Sequence, residues 1–359
     1  MSDFQIAVFP GDGIGVEVTE AAGVVLDKCE KKFGFALSRR IWDGGAAYYR
    51  ETGKDLEDGA FKASGTADAI LFGAMGLPDV RLPDGTEVAP HLEMRREYGL
   101  YAGVRPARKY PNTPAVLAPS AADNVDLIVL RESTEGLFAS RGKGVVENDE
   151  VARDTMVITR KTSEKLFDFA FRLAERRQAK GRGKGRVTCV DKSNVFVSMA
   201  FFRKIFDERR GAFPDLRTDH SYVDAAALDL VRKPWEFDVM VMENMFADIL
   251  SDLCGGLVGG MGMAPCAEIG DSHALFQPAH GSAPDIAGKK ISNPTAMLVS
   301  TAMMLEWLGE RAGDQRLLDA GACIDDAVYK SYDDGAVLPY ELGGKTGTAD
   351  FVAAVMERI

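Results

Sequence analysis

Residues 239–256 read VMVMENMFADILSDLCGG. The apolar residues Met242, Met245, Phe246, Ile249, Leu250 and Leu253 recur at helical spacing behind a short strand-like run at 238–242. Asp248 and Asp252 stand four apart and share one face of that helix. Like charges at this spacing repel, so a helix normally avoids the pair or separates it with a cation, and an all-oxygen cluster suits Mg²⁺ or Mn²⁺. Alone, such a pair reads as two solvated aspartates. The rest of the chain shifts the reading towards a cation site.

Upstream, strand and helix patterns alternate. Residues 4–9 form an apolar run followed by Pro10-Gly11-Asp12-Gly13-Ile14-Gly15 and a helical pattern over 16–32. The spacing predicts a strand at 36–42, helices at 45–51 and 56–63, a strand at 69–73, a loop at 77–90 and a helix at 91–97. A strand pattern opens at Tyr101, and 125–130 is a buried strand ending in Arg131-Glu132. Residues 155–159 alternate like an edge or arm strand; strands at 186–190 and 217–223 end in Asp191-Lys192 and Asp224, with helices at 163–177 and 194–210. This alternation implies a parallel sheet covered on both faces. Downstream, the chain after Gly255-Gly256 and Gly259-Gly260 reads as glycine-rich and irregular through Asp285, Asn293 as an N-cap with Pro294 at the first helical position, and 295–308, 314–330 and 348–357 as helices. The turn after the first strand is not a standard Rossmann fingerprint, because its third glycine follows the second by two residues and no acidic residue ends a second strand at the expected distance.

The chain of 359 residues suits one large or two medium α/β domains, and 46% hydrophobic with 27% charged residues is ordinary for a globular enzyme. A net charge of −11 argues against nucleic-acid or anionic-membrane partners. The basic run Arg176, Arg177, Lys180, Arg182, Lys184 and Arg186 is threaded with glycines and reads as a solvated loop. Five scattered cysteines without CxxC spacing fit a reduced cytoplasm and suggest no zinc site. No apolar run reaches a membrane span and no leader pattern opens the chain, so the expectation is a cytoplasmic protein.

Arg105 and Arg131 sit where apolar runs end, and Arg95 lies on a helical segment. Three guanidiniums in one cleft would hold a dicarboxylate through paired hydrogen bonds. Lys192 and Asp224, at strand tips, are candidate base and metal ligand, since a divalent cation nearby disfavours charged lysine.

With these residues in place, the chain resembles the β-decarboxylating 2-hydroxyacid dehydrogenases, which act on 3-isopropylmalate, isocitrate, homoisocitrate, tartrate or D-malate. The resemblance runs nearly end to end, through PGDGIGVEV, MRREYGLYAGVRP, RESTEG, DKSNV, YVDAAAL, ENMFADILSD, HGSAPDIAGK and NPTAM. It implies an α/β, isopropylmalate-dehydrogenase-like two-domain fold with a shared mixed sheet. The expected first domain, for the cofactor, takes 1–104 and 260–359; the second, for metal and dimerisation, takes 105–259 with an arm near 140–160. By the resemblance, Arg95, Arg105 and Arg131 hold the malate carboxylates and Asp248, Asp252 and Asp224 bind Mg²⁺ or Mn²⁺. Lys192 is the acid/base residue, and Lys192 and Asp224 come from the second subunit of a homodimer. The cofactor pocket is non-Rossmann and involves Ile14, His280, Gly281, Ser282, Ala283, Asp285, Ile286 and Asn293. Asp285 points to NAD, because a carboxylate accepts both ribose hydroxyls and repels a 2′-phosphate.

Two positions depart from the pattern. Phe138 stands where the family has a general-acid tyrosine, and it has no proton to give. His91 stands four before Arg95, where isopropylmalate enzymes place leucine and isocitrate enzymes asparagine. Imidazole offers a hydrogen bond instead of a greasy wall, so the substrate leans to a polar C3 substituent, as in tartrate, or none, as in D-malate, with isopropylmalate still open. The expected activity is NAD- and metal-dependent oxidation and decarboxylation of a malate-type 2-hydroxy acid. The alternatives are an isocitrate or homoisocitrate enzyme, or a catalytically idle regulatory subunit, which the loss of the phenol favours and the retention of Lys192, Asp224, Asp248 and Asp252 opposes.

Overall fold

The computed structural model describes residues 3–359. The first stretch runs β1 (Asp3–Gly11), α1 (Ile14–Phe33), β2 (Ala36–Ile41), α2 (Ala46–Thr52), α3 (Ala60–Ser64), β3 (Ala69–Ala74) and α4 (Pro90–Glu97). The middle stretch begins with β4 (Ala102–Arg108), β5 (Asp126–Glu132), β6 (Val145–Glu147), β7 (Val151–Arg153), α5 (Arg160–Ala179) and β8 (Arg186–Asp191). It continues with α6 (Val197–Arg209), β9 (Arg217–Tyr222), α7 (Val223–Arg232), β10 (Val239–Met242) and α8 (Asn244–Val258). The chain closes with β11 (Pro265–Ile269), β12 (Ala274–Pro278), α9 (Thr295–Ala312), α10 (Gln315–Asp333) and α11 (Thr348–Arg358).

These elements form two compact units. The first takes the described residues to Tyr98, Tyr110–Pro114 and Gly259–Ile359; the second takes Gly99–Lys109 and Ala115–Val258. The division at 104/105 read from the sequence thus moves to Gly99, because β4 pairs antiparallel with β5 along its whole length, from Ala102↔Glu132 to Arg108↔Asp126.

In the first unit the strand order is β2-β1-β3-β12-β11, with β1 parallel to β2 and β3, β12 parallel to β3, and β11 antiparallel to β12. The fully buried Phe9, Phe72 and Phe276 anchor its core, and Val18, Val25 and Leu26 give α1 one apolar stripe. In the second unit the order is β4-β5-β10-β8-β9, parallel except at β4. Phe167 and Phe171 of α5 pack on Phe202 and Phe206 of α6, with ring centroids 4.6 Å apart for Phe167–Phe202 and 5.2 Å for Phe171–Phe206. The class is mixed α/β, as expected from the resemblance.

Several local expectations fail for identifiable reasons. The sheets are mixed where alternation alone implied a parallel one. The stretch after Gly259-Gly260 is irregular only in part: Pro265–Ile269 pairs with Ala274–Pro278 as buried strands, and the chain from 279 to 285 forms the loop that follows them. The glycine signals there mask packing, since both strands are buried almost throughout. The stretch 155–159 forms only an isolated bridge, Gly136↔Val157, while the arm strands are the exposed β6 and β7, joined by Asn148 and Asp149 at φ 53° and 57°. Helix α9 starts at Thr295 with Pro294 as its N-cap, and Asn293 acts one residue earlier, its Oδ1 accepting from the Thr295 backbone and hydroxyl. The helix read at 56–63 shortens to Ala60–Ser64.

The basic run is not solvated throughout. Arg177 donates to Asp238 and Asp126, Lys184 to the Phe237 carbonyl, and Arg186 to Asp219. The fully buried Asp238 carboxylate, invisible to a linear charge count, draws the run inward. Among the described residues no helix is long and apolar enough to cross a membrane.

Candidate active site

In the second unit, fully buried β10 delivers the chain to the start of α8. Glu243 caps that helix by accepting from the backbone N–H of Met245 and Phe246 at 3.1 and 2.9 Å. Burial holds its carboxyl above the usual range. Asn244, the first residue of α8, accepts from Arg131 Nε at 2.8 Å and donates to the Glu135 carbonyl. The helix start thus fixes both the Arg131 guanidinium and the turn that follows β5.

One turn on, Asp248 Oδ1 pairs with Arg131 Nη1 and lies 3.4 Å from Arg105 Nη1, which also donates to Ser251 Oγ at 2.8 Å and lies 3.9 Å from Asp252. The arginines are 9% and 3% exposed at their side chains, whereas Asp248 and Asp252 are 42% and 60% exposed. The buried guanidiniums therefore form a floor and the aspartates a rim open to solvent. Burial first, and the neighbouring Asp248 carboxylate after it, raise the Asp252 pKa against the pull of Arg105. A divalent cation at this rim would remove the like-charge repulsion, and the oxygen-only donors suit Mg²⁺ or Mn²⁺. Arg105 does not sit at a strand tip: it is mid-strand in β4, because the pairing with β5 continues past the apolar run to Arg108. Phe138 lies over the other side of Arg131, with its ring centroid 4.9 Å from the guanidinium carbon.

Lys192 and Asp224 form a separate pair. Lys192 Nζ donates to Asp224 Oδ1 at 2.5 Å, and this hydrogen bond holds the Asp224 carboxyl below its usual range. The neighbouring Asp191, fully buried, is occupied by Arg203 at 2.7 and 2.9 Å, which leaves Lys192 to the strand tip. Among the described residues no three His, Cys, Asp or Glu side chains gather as a ligand set within one chain. Asp248 and Asp252 come together; Asp224 stands with Lys192.

In the first unit, Arg95 of α4 is 4% exposed and its Nη2 lies 2.9 Å from Glu268 of β11. His91, one helical turn earlier, packs edge-on to Phe72 at 5.5 Å. The loop after β12 docks on the turn after β1: Ile14 N–H donates to the Ser282 carbonyl at 2.8 Å. A Cβ at Gly13, φ 56°, would meet that same oxygen at 2.0 Å, so only glycine permits the contact. The Asp12 carboxylate accepts from Ala46, Ala47 and Gly76 N–H at 2.7, 2.8 and 2.8 Å and so caps the start of α2.

The loop itself carries the residues expected for the cofactor. His280 Nδ1 lies 2.8 Å from the Gly281 carbonyl, its Nε2 is buried without a partner, and burial lowers its pKa, which keeps the imidazole neutral. Gly281 and Asp285 are exposed, Ala283 and Ile286 half-buried, and Ala283 takes φ 38°. Asn293 donates to Glu341 at 3.0 Å. Glu17 ties down the far side by accepting from Ser292 and from the Gly288 backbone. The orphaned His280 nitrogen and the tight Gly13–Ser282 contact fit a preformed cradle for a ligand with hydrogen-bonding edges. Sequence reading missed Asp12, Glu17, Asn244, Glu243, Glu268 and Glu341. Only Glu243-Asn244, acidic and amide residues just ahead of a helix, carried a local signal.

An α/β enzyme with strand-borne arginines beneath a helix-borne carboxylate pair is the class these features define. The family model described as isocitrate/isopropylmalate dehydrogenase matches residues 5–355. A 3-isopropylmalate dehydrogenase of Methanothermobacter thermautotrophicus is 37% identical, covering 100% of this chain and 99% of its own. A tartrate dehydrogenase/decarboxylase of Pseudomonas putida is 36% identical over 99% and 98% of the two chains. The crystal structure of an isocitrate dehydrogenase from Methylococcus capsulatus superposes with a TM-score of 0.85 at 35% identity, covering 99% of each chain. The chain belongs to the isocitrate/isopropylmalate dehydrogenase family and is a dehydrogenase of the β-decarboxylating kind.

Proposed function

We propose that the protein oxidises and decarboxylates a malate-type 2-hydroxy acid of the tartrate, D-malate or 3-isopropylmalate class, using NAD and Mg²⁺ or Mn²⁺. The observation that carries this reading is the Arg105–Arg131–Asp248–Asp252 cluster, which sets buried cations beside an exposed pair of carboxylates. Arg105 and Arg131 bind the substrate carboxylates through their planar N–H groups, with Arg95 as the third guanidinium that the family resemblance assigns. Asp248 and Asp252 hold the cation, and Asp224 completes the set from the second copy of a homodimer. A cation held there would supply Lewis-acid polarisation of the C2 oxygen, the electron sink that loss of the 3-carboxylate as CO₂ needs. Ile14, His280, Gly281, Ser282, Ala283, Asp285, Ile286 and Asn293 of the first unit would hold NAD, which would supply the acceptor for the C2 hydride.

Lys192, also from the partner copy, takes the hydroxyl proton, and Asp224 2.5 Å away keeps its amine oriented. Phe138 gives no proton, so the carbon left after decarboxylation is protonated by Lys192 or by water. Large apolar side chains exposed on the second unit support the homodimer: Val197 at 88%, Ile249 at 61%, Leu228 at 56% and Val146 of the hairpin at 68%. The free cysteines accord with a cytoplasmic setting.

Phe138 is the observation that favours a second reading, a regulatory subunit without turnover. Assaying NADH formation with isopropylmalate, isocitrate, D-malate and the tartrates, with Mn²⁺ and after chelation, separates the two. Turnover with a malate-type acid that stops on chelation supports the proposal, and no turnover with any of them supports the idle subunit.

A further inference from the structure

The Arg131 side chain is 3% exposed, and its guanidinium is held both on a face and at its nitrogens. The parallel pairing of β10 with β5 sets Met242 beside Arg131, so the chain leaving β10 brings Asn244 next to that side chain. Asn244, fully buried, accepts from Arg131 Nε at 2.8 Å and donates to the Glu135 carbonyl at 3.1 Å. Nε only donates and a carbonyl only accepts, so a single orientation of the amide makes both bonds. One helical turn on, Asp248 takes Nη1, and the Phe138 ring covers the guanidinium with its centroid 4.9 Å from Cζ. The turn leading to Phe138 docks tightly on the same helix start: a Cβ at Gly136, φ 71°, would meet Glu243 Oε2 at 2.6 Å and Asn244 Cβ at 3.1 Å.

We propose that Asn244 is a positioning residue for substrate binding: it fixes the plane of the Arg131 guanidinium for a substrate carboxylate, and does so without adding an anion to it. This rests on the reading of Arg131 as a substrate ligand. A guanidinium grips a carboxylate through parallel N–H bonds whose directions lie in its plane. A hydrogen bond at Nε restrains rotation about Cδ–Nε, the torsion that turns this plane. Asp248 already claims Nη1, so a carboxylate at position 244 would be a second anion on one guanidinium and would compete with the substrate for its charge. The neutral amide anchors the arginine without that competition, and its donor ties the arginine to the turn after β5.

The test is calorimetric binding of D-malate, meso-tartrate, 3-isopropylmalate and isocitrate to the whole, Mn²⁺-loaded chain, beside steady-state NADH formation. The proteins compared are the wild type, Asn244→Leu, Arg131→Lys and the double variant. In Asn244→Leu, the acid that the wild type binds most tightly should bind about tenfold more weakly and its KM should rise in parallel, with kcat falling less than about threefold and KM for NAD⁺ unchanged. Lysine has no guanidinium plane to orient, so on the Arg131→Lys background Asn244→Leu should weaken binding by less than about twofold more. Unchanged acid affinity in Asn244→Leu or full additivity in the double variant overturns the proposal. So does an equal rise in KM for NAD⁺, which marks a general loosening of the fold. Should Asn244→Leu fail to fold, Asn244→Asp decides: it keeps an acceptor for Nε but adds the second anion, and should bind the acid about tenfold more weakly. Undiminished binding there overturns the proposal. Weakened binding in Asn244→Leu without NADH from any acid leaves the positioning role standing and removes the dehydrogenase reading; turnover that Asn244→Leu leaves untouched does the reverse. A wild type that binds none of the acids overturns both.

Discussion

Phe138 lies against the Arg131 guanidinium at 4.9 Å and is 36% exposed, so a phenol there would meet both solvent and the arginine floor. Hydride transfer does not use this position, whereas reprotonation after CO₂ loss would, and general acid catalysis is typically worth ~10²–10⁴-fold. We expect a rapid first-turnover burst of NADH followed by slow steady state, and a higher steady-state rate in Phe138→Tyr. Stopped-flow absorbance reads both; absence of a burst with a full deuterium isotope effect on kcat would place the slow step at oxidation. Asp285 carries the second expectation at this scale. Its exposed carboxylate should favour NAD⁺ over NADP⁺ by about tenfold in kcat/KM, equivalent to about 1.4 kcal/mol, and Asp285→Lys should shrink that gap. Equal use of both cofactors by the wild type would refute it.

The aspartate pair belongs to a helix, and its consequences are those of a helix. Asp248 and Asp252 repel along α8, so a cation at their rim stabilises the element that carries it. Chelation should abolish turnover and lower Tm, with Mn²⁺ restoring both; at a hundred times Kd the bound ion contributes roughly 3 kcal/mol. An unaltered Tm and rate after exhaustive chelation would leave the arginines as the only counter-ions. A pH dependence arises at the end of β5. Glu132 is 1% exposed, and burial raises its carboxyl to about 7, although Thr134 and Glu135 donate to it. A folded-state pKa above the unfolded one means the native state holds the proton more tightly. That contribution is whole below about 4.5 and is lost as pH rises through about 7. Tm should therefore fall between these limits in the wild type, and Glu132→Gln should flatten the slope; parallel profiles would show that Glu132 does not titrate there.

For the whole molecule, the decisive expectation concerns two copies. In one chain Lys192 and Asp224 answer each other while Asp248 and Asp252 answer Arg105 and Arg131. If each site takes Lys192 and Asp224 from the partner, Lys192→Met and Asp252→Asn should each be inactive alone. Refolded together, they should recover about a quarter of wild-type activity, because half the dimers are mixed and each has one intact site of two. No recovery from a mixture shown to form heterodimers would mean that each chain builds its site unaided.

What the amino-acid sequence determined by itself is what depends on neighbours along the chain. Helical spacing placed α8 and its aspartates, the apolar run of β5 placed Arg131 near a strand end, and the glycine spacing excluded a standard Rossmann turn. These follow from backbone geometry, which repeats every few residues and is therefore visible locally. Tertiary structure decided what depends on distant partners. The strands β11 and β12 exist because each buries the other, against the glycine signals around them. Arg177 left the solvent for the Asp238 carboxylate and Lys184 for the Phe237 carbonyl, both far along the chain. The Asp12 carboxylate came to cap the start of α2, and Glu268, an unremarked acid in an apolar stretch, came to pair with Arg95. A charge declares its sign in the sequence, but the dielectric around it and the group that answers it are set only when the chain is folded.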